Sequence, residues 1–427
     1  GNRFGFFPAY SAAWNLGEEP WIRKAAPWID MFKIRYSYGK VGNDYLDTRF
    51  PFQGRFMTDD NDRYIYGDFG SSNYTYNGIS YLMLANENIT WEVAKKHDIG
   101  IDFYLFKNKF SGTIDYFRET RDGIFMTRNY LPQIIGVSNS QQPSANIGKV
   151  RSTGVDGNLA YSDKLGQVNF TIRGNFTYSK NKILEYDEQY SHYGYSRVAG
   201  YRVDQARGLV ALGLFKDYDD IRYSPDQSAL KGDFEIAPGD IKYKDINGDG
   251  KIDGNDIVPI GSTTKPNLIY GFGVSAQWKG FDFNVLFQGV GKSSFFINGF
   301  TVYPFSQGSW GNILTDVVDN YWSLGKNEDV NAKYPRLTYG NNSNNNRAST
   351  YWLRDGSYLR LKNLEIGYTL PKAFVSSMHI QNVRFYFMAT NLLTFSDFDL
   401  WDPELGSSDG QQYPLSKTFT LGMTINL

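Results

Sequence analysis

The segment with the clearest capacity for chemistry is DINGDGKIDGND at 245–256. Oxygen-bearing side chains stand at its positions 1, 3, 5, 9 and 12, and a glycine stands at position 6. This spacing matches the loop of an EF-hand, which surrounds Ca2+ with roughly six to eight oxygen ligands. The sequence therefore predicts a structural Ca2+ site. Its ligands would be the side chains of Asp245, Asn247, Asp249, Asp253 and Asp256, together with the backbone carbonyl group of Lys251.

This segment departs from the EF-hand pattern at its last ligand. Asp256 stands where an EF-hand has glutamate, and the shorter side chain weakens the case for bidentate ligation. Flanking helices are not evident on either side of the segment. The alternative interpretation is an Asx- and glycine-rich turn whose carboxylates are simply solvated.

Aromatic side chains that could contact a ligand gather in the segment 291–325. Aromatic faces stack on sugar rings, and neighbouring Asn and Gln side chains can hydrogen-bond to sugar hydroxyl groups. The candidate substrate-binding residues are Tyr303, Trp310 and Trp322. The alternative for each ring is packing between loops or against a partner protein.

Catalytic chemistry finds little support in the sequence. The chain has no cysteine, which excludes disulfides, thiolate metal sites and catalysis by a thiol. The residues at 271–276 resemble a dinucleotide fingerprint, but they lie inside a strand pattern and open no helix. No serine-hydrolase elbow or P-loop is present, so we predict no enzyme. With 44 basic and 45 acidic residues there is no electrostatic reason to expect nucleic acid.

The elements that must position these residues are β-strands, and the clearest example is the hairpin at 268–290. Every second residue of 268–278 is apolar, and the alternation resumes after a tight turn at 279–280. Alternation with a period of two gives each strand one apolar face and one polar or small face. Strands of about ten residues have the length that a tilted strand needs to cross a bilayer.

The same alternation recurs in eleven segments, and the connections between them are short and long in turn. Bacterial outer-membrane barrels have this arrangement, with short periplasmic turns and long extracellular loops. Because such barrels close with an even number of strands, we expect residues 1–427 to supply the C-terminal half of a larger barrel. The long loops are predicted at about 41–96, 120–146, 180–267, 291–356 and 393–416.

Two finer predictions concern local structure. The strand at 358–370 changes phase, which predicts a β-bulge near Lys362 or Asn363. The asparagine-rich tract at 341–346 is predicted to be flexible. The structural alternative to a membrane barrel is a secreted β-sandwich or propeller, whose strands are shorter and whose loops do not alternate so regularly.

Several segments together resemble the SusC/RagA-like TonB-dependent transporters of the Bacteroidetes outer membrane, over nearly the whole chain. The resemblance includes the last barrel strand and residues 390–404, which contain Asn391-Leu392 and the DPE sequence at 402–404. The other segments are FKIRYSYGKVGN at 32–43, NIGKVRSTGV at 146–155, GDIKYKDINGDGKIDGND at 239–256 and YLRLKNLEIGYTLP at 358–371.

The resemblance implies an all-β fold, a transmembrane antiparallel β-barrel of about 22 strands in which this chain supplies strands twelve to twenty-two. It also implies an N-terminal plug and a TonB box, neither of which is in this sequence, and a SusD-like surface lipoprotein as a lid. The function it implies is TonB-dependent import of oligosaccharides or other oligomeric nutrients through the outer membrane, with lipid around the barrel. The alternatives are a peptide importer of the same family, a passive porin and a secreted glycan-binding β-protein.

Overall fold

Eleven strands of this chain form one antiparallel sheet, in which each strand pairs with the next one along the wall. The computed structural model describes residues 4–46, 50–65, 75–128, 142–308, 312–375 and 380–426. We call the large sheet the strand wall. Its strands are β1 Ala9–Asn15, β2 Ile29–Asn43, β5 Glu92–Leu105, β6 Phe110–Thr127, β7 Ser144–Leu165, β8 Val168–Glu185, β13 Leu268–Trp278, β14 Phe281–Gly291, β17 Tyr358–Thr369, β18 Asn382–Phe395 and β19 Thr418–Asn426.

The remaining elements lie in the connections between the wall strands. No helix among the described residues is long and apolar enough to span a membrane. The helices are α1 Pro20–Ala25, α2 Tyr218–Arg222 and α3 Lys372–Val375. The strands outside the wall are β3 Arg55–Ile65, β4 Thr75–Met83, β9 Arg207–Gly208, β10 Ala211–Leu214, β11 Ile241–Tyr243, β12 Val258–Pro259, β15 Ser294–Phe296 and β16 Leu353–Asp355.

The wall has the two faces that the alternation predicts. Residues directly opposite one another in register form lateral rows, and one such row is Tyr36, Ile99, Tyr116, Val155 and Tyr178. Most of these side chains are exposed, as are many other large hydrophobic residues on the same side of the sheet. We call this side the apolar face and the opposite side, rich in Asp, Arg, Asn, Thr and Gly, the polar face.

The connections alternate as predicted, with short ones after β1, β5, β7, β13 and β17. At the turn from β13 to β14, Lys279 and Gly280 both have positive φ, 44° and 89°, which is the geometry of a tight hairpin turn. The predicted bulge is confirmed, because the register of β17 shifts between Leu361 and Asn363.

Two of the long connections are shorter than the ranges predicted from the sequence, 41–96 and 120–146. The strands β2, β5, β6 and β7 continue further from the turns, so the second long connection, between β6 and β7, holds residues 128–143 only. The first long connection also contains the hairpin of β3 and β4. Alternation weakens at these strand ends because the side chains there have left the apolar environment.

Three long connections pack together beside the wall and form what we call the loop body, residues 186–267, 292–308, 312–357 and 396–417. It contains the main hydrophobic core of the described structure. The wall strands have no such core, because their apolar side chains point outward. The core residues are Leu209, Leu214, Leu230, Ile241, Tyr243, Ile252, Phe295, Ile297, Val302, Tyr303, Val317, Trp322, Ala332, Tyr334, Trp352 and Phe398.

The asparagine-rich tract lies inside the loop body, and the prediction that it is flexible is wrong. Asn342, Asn344 and Asn345 are buried. Asn345 donates to Asp240 Oδ1 at 2.8 Å, and Asn344 donates to the carbonyl group of Ile241 at 3.0 Å. Composition suggested a solvated tract, but each amide side chain finds buried partners about a hundred residues away in sequence.

Candidate functional site

The polar face carries an ion cluster that spans three neighbouring strands, β2, β5 and β6. Arg35 lies within 3.1 Å of Asp102, 2.7 Å of Asp115 and 3.6 Å of Asp98. The guanidinium group crosses the middle strand above Gly100, where a Cβ atom would collide with Asp115 Oδ1 and Arg35 Cζ. Glycine on the middle strand therefore provides the space that lets the two outer strands form an ion pair.

A second cluster repeats this design on β14, β17 and β18. Arg384 Nε donates to Asp282 Oδ1 at 3.0 Å, and Arg384 Nη2 donates to Glu365 Oε1 at 2.6 Å. The arginine again crosses a glycine of the middle strand, Gly367, whose Cβ atom would collide with Arg384 and Asp282. Both clusters lie on the same face of the wall and join strands that are not direct neighbours.

Between the two clusters the polar face forms an open concavity of about 570 Å3. The hydroxyl groups of Ser162 and Thr171 are 2.9 Å apart, and Arg173 donates to Asn284 Oδ1 at 3.1 Å. The concavity offers amide, hydroxyl and carboxylate groups to an aqueous space. The side chains of its lining that belong to the polar face are Ser162, Lys164, Asn169, Thr171, Ser275, Gln277, Asp282 and Asn284.

The predicted Ca2+ segment folds as a loop closed by its own side chains. Asp245 accepts hydrogen bonds from the backbone N–H groups of Gly248 and Gly250, at 2.7 and 2.8 Å. Asn247 Oδ1 accepts from the N–H group of Asp249 at 3.1 Å. Gly250, at position 6 of the motif, has a φ of 81°, which is the left-handed turn that an EF-hand loop requires at this position.

The last predicted ligand, Asp256, is buried and caps backbone groups. Its Oδ1 accepts from Ile246 N–H at 2.8 Å, and its Oδ2 accepts from Asp253 N–H at 2.9 Å. Within the described ranges, no three His, Cys, Asp or Glu side chains are grouped closely enough to hold a metal ion. The loop thus positions the predicted residues around one short segment, and Ca2+ binding there stays a prediction.

The predicted substrate-binding aromatics are mostly placed in the core. Tyr303 is only 9% exposed and Trp322 only 5%, so neither ring offers a face to a sugar. Tyr303 packs edge-on against Trp352, with ring centroids 5.1 Å apart, and burial raises the pKa of Tyr303 to about 12. Trp310 lies outside the described residues. For Tyr303 and Trp322 the structure favours the packing alternative.

A different set of aromatic rings lies on the surface of the loop body, and the sequence analysis missed it. Five tyrosines from its three connections are between 70% and 86% exposed. The sequence offers one signal for such a residue, namely a tyrosine within a polar, charged segment. A tyrosine without apolar neighbours in sequence is expected at the surface and not in a hydrophobic core. The five are Tyr190, Tyr218, Tyr223, Tyr339 and Tyr413.

Transmembrane-length strands, one exposed apolar face and an opposite polar, charged face define part of the wall of an outer-membrane β-barrel. The model of the family "TonB dependent receptor-like, beta-barrel" matches residues 1–392, and the chain belongs to that family.

The relatives found by sequence are named as TonB-dependent receptors. TonB-dependent receptor P3 of Formosa agariphila is 29% identical over 451 residues, covering 99% of this chain and 42% of that protein. TonB-dependent receptor SusC of Bacteroides thetaiotaomicron is 24% identical, covering 99% of this chain and 40% of its own length. The chain thus spans less than half the length of the curated relatives that it matches.

Solved structures show the same fold. The RagAB peptide transporter aligns with a TM-score of 0.69 at 20% sequence identity, covering 99% of this chain and 44% of that one. The RagAB peptide importer in its closed-closed state aligns with a TM-score of 0.71, also at 20% identity. The chain therefore has the fold of these structures, and it is an outer-membrane β-barrel of the TonB-dependent receptor family, whose members are receptors and not enzymes.

Proposed function

We propose that this chain is the C-terminal part of an active importer that carries oligomeric nutrients, most simply oligosaccharides, across the outer membrane. Family membership supports this proposal, as does a polar face suited to a wet interior. TonB would supply the work through the remainder of the protein. A SusD-like lipoprotein would cover the loop body from outside.

The proposal of an oligosaccharide ligand rests on one observation, the five exposed tyrosines on a loop body that has its own hydrophobic core. Rigid, solvent-exposed ring faces suit stacking on sugars, and they lose little conformational freedom when a ligand binds. The alternative ligand is a peptide, because the RagAB structures are named as peptide transporters. A peptide would also use tyrosine faces, but it would need hydrogen-bonding partners for its backbone.

The test is a binding experiment with the protein isolated in mild detergent from its own outer membranes, together with any lipoprotein that co-purifies. A panel of neutral oligosaccharides and a panel of peptides would be compared. A variant with Tyr218, Tyr223 and Tyr413 changed to alanine should lose oligosaccharide binding at least about tenfold. The matched control changes Tyr10, Tyr36 and Tyr116, exposed tyrosines of the apolar face, to alanine.

The outcomes separate the two ligands. Oligosaccharide binding that depends on the loop tyrosines supports a glycan importer, and peptide binding alone supports the alternative. A barrel that binds neither class, and whose native preparation contains no lipoprotein and no TonB-interacting region, would contradict active import.

We also propose that the loop at 245–256 binds Ca2+ and so stabilises the loop body. Support comes from the ligand spacing and from the left-handed Gly250 at position 6. Each carboxylate oxygen that accepts a backbone N–H group keeps a further lone pair for a cation.

Calorimetric titration with CaCl2 after EGTA treatment would test the Ca2+ proposal. We expect one binding event, which Asp249→Ala removes and Asp233→Ala, at an exposed carboxylate of the same loop body, leaves unchanged. Absence of any Ca2+-dependent heat in the native protein would leave the solvated-turn interpretation.

A further inference from the structure

Above the apolar belt, the outer surface of the wall changes from aromatic to basic. Two lateral rows of residues form this basic surface, on the apolar face and on the side of the belt nearer the long connections. The row next to Tyr36, Ile99 and Tyr116 contains His97, Arg118, Thr153 and Lys180 in register. The row beyond it crosses five strands. It consists of Lys40, Lys95, Thr120, Arg151 and Lys182.

We call six residues of these two rows the basic band. Within the second row, Lys40 lies directly opposite Lys95, and Arg151 lies directly opposite Lys182. Like charges directly opposite in neighbouring strands destabilise a sheet unless something offsets them. The members of the band are Lys40, Lys95, Arg118, Arg151, Lys180 and Lys182.

Carboxylates of the protein offset only part of this charge. Asp122 lies 2.8 Å from Lys95 and 2.9 Å from Lys149. Lys149 belongs to the next row and extends the basic surface by that row. Among the residues that the structure describes, none places a carboxylate within 4.0 Å of the other five members of the band. Arg151 Nε is buried and has no hydrogen-bond partner in the described structure.

The rest of the wall lacks such a band. At the same end of β17, β18 and β19 the outward side chains are apolar, and they include Leu359, Leu393, Phe395 and Phe419. The basic residues therefore do not follow a general requirement of every strand that leaves the membrane. They mark one sector of the outer surface, from β2 to β8.

We infer that this sector binds the phosphate groups of a lipid in the outer leaflet. Three features select a lipid over a soluble anion: the band faces outward, it is continuous with the membrane-facing belt, and it stands at headgroup level. Guanidinium groups bind phosphate through two parallel hydrogen bonds, and lysines add point charges. Basic residues close to a membrane surface each contribute roughly 1 kcal/mol toward anionic lipids.

The experiment is native mass spectrometry of the protein from its own outer membrane, delipidated in detergent and titrated with lipid A. Three forms with the same acyl chains and two, one or no phosphate groups would be compared, and inorganic phosphate would be added in a separate arm. The test variant changes Arg118, Arg151, Lys180 and Lys182 to Gln. We expect it to bind the bisphosphorylated form at least about tenfold more weakly than the unchanged protein.

The matched control removes four positive charges near the short connections, by changing Lys24, Lys107, Lys279 and Lys372 to Gln. It should bind within about twofold of the unchanged protein, because these exposed lysines lie at the other end of the strands. A charge-keeping variant, with the two arginines changed to lysine and the two lysines to arginine, should retain binding.

Three results would overturn the inference. The first is equal binding of lipid with and without phosphate groups. The second is equal loss in the test and control variants. The third is competition by millimolar inorganic phosphate as strong as that by lipid, which would indicate a soluble anion. If the variant with four substitutions does not fold, as judged by its heat-dependent mobility in gels, a variant with only the exposed pair Lys180→Gln and Lys182→Gln is compared with the unchanged protein instead.

Discussion

The strand wall and the loop body use the same apolar residue types in opposite ways. On the wall, Leu421 is 84% exposed and Trp278 is 48% exposed, because lipid covers these side chains. In the loop body, Ile241 and Val317 are 0% exposed and Trp352 is 1% exposed. The wall is therefore stable only where a membrane covers one face, whereas the loop body resembles a small soluble domain.

The polar interactions of the two regions also differ in which parts of the chain they join. Each ion cluster of the wall joins two strands that are separated by a third strand. Glycines on that middle strand, such as Gly100, give the charged side chains room. In the loop body, Asp240 is fully buried and holds Arg336, Asn342 and Asn345, all about a hundred residues away in the chain. Loss of one wall cluster should be a local event, whereas loss of Asp240 should loosen the whole loop body.

The largest effect should come from Trp352→Ala. Trp352 packs against Tyr303, Tyr334 and Tyr351, and its removal leaves a cavity that costs about 4 kcal/mol. The free energy of loop-body opening, measured by hydrogen exchange, should fall by this amount while the wall keeps its heat-dependent gel mobility. Trp278→Ala, on the apolar face of the wall, should leave loop-body exchange unchanged. Equal effects of the two substitutions would remove the distinction between the regions.

Asp240→Ala should cost slightly less, about 3 kcal/mol, because it leaves a partly buried arginine and two buried amides without their shared partner. Limited proteolysis should cut the loop body of this variant and spare the wall. Asp233→Ala, at an exposed position of the same connection, is the control and should resist protease like the unchanged protein. Protection equal to that of Asp233→Ala would show that the asparagine network does not hold the connections together.

Gly100→Ala tests the wall alone. The added methyl group must displace the Arg35–Asp115 pair, and we expect a loss of about 2 kcal/mol. Gly39→Ala is the matched control, because its methyl group would meet only Ala9, with Ala9 Cβ nearest at an ordinary 3.5 Å. The measurement is the urea midpoint for loss of the folded gel form. A loop body that opens together with the wall in Gly100→Ala would contradict the independence of the two regions.

The smallest effect concerns acid sensitivity of the loop body. Burial raises the pKa of Asp316, but hydrogen bonds from Lys333 and Tyr334 outweigh it, so the folded pKa lies below the unfolded value of 3.8. Its stabilisation is therefore complete above about pH 4 and is lost as the pH falls through the folded pKa. Asp316→Asn should remove about 0.5 kcal/mol at pH 7 and less at pH 3. Asp319→Asn, at an exposed neighbouring position, is the matched control.

The wall could be predicted from the sequence because its signals are local. All eleven strands follow from alternation over about ten residues, and even the bulge at Lys362 follows from a change of phase. The strand ends were harder to predict, because alternation weakens where a strand leaves the membrane.

The loop body could not be predicted in the same way. Burial of Asn344 depends on Ile241, and no pattern near either residue indicates the other. For the same reason the aromatic residues Tyr303 and Trp322 could not be assigned to core or surface. The basic band was hidden for a different reason, because its members lie on five strands and become neighbours only once the register is known.

The contact between Asp240 and the asparagines at 342–345 also sets an order of events during maturation. Wall hairpins such as β13–β14 close over turns of a few residues, whereas this contact must close a chain of about a hundred residues and requires β13, β14 and their neighbours to be placed first. A newly inserted molecule should therefore pass through a stage in which the strand wall is folded and the loop body is not. At that stage it would already be anchored in the membrane, yet open to surface proteases.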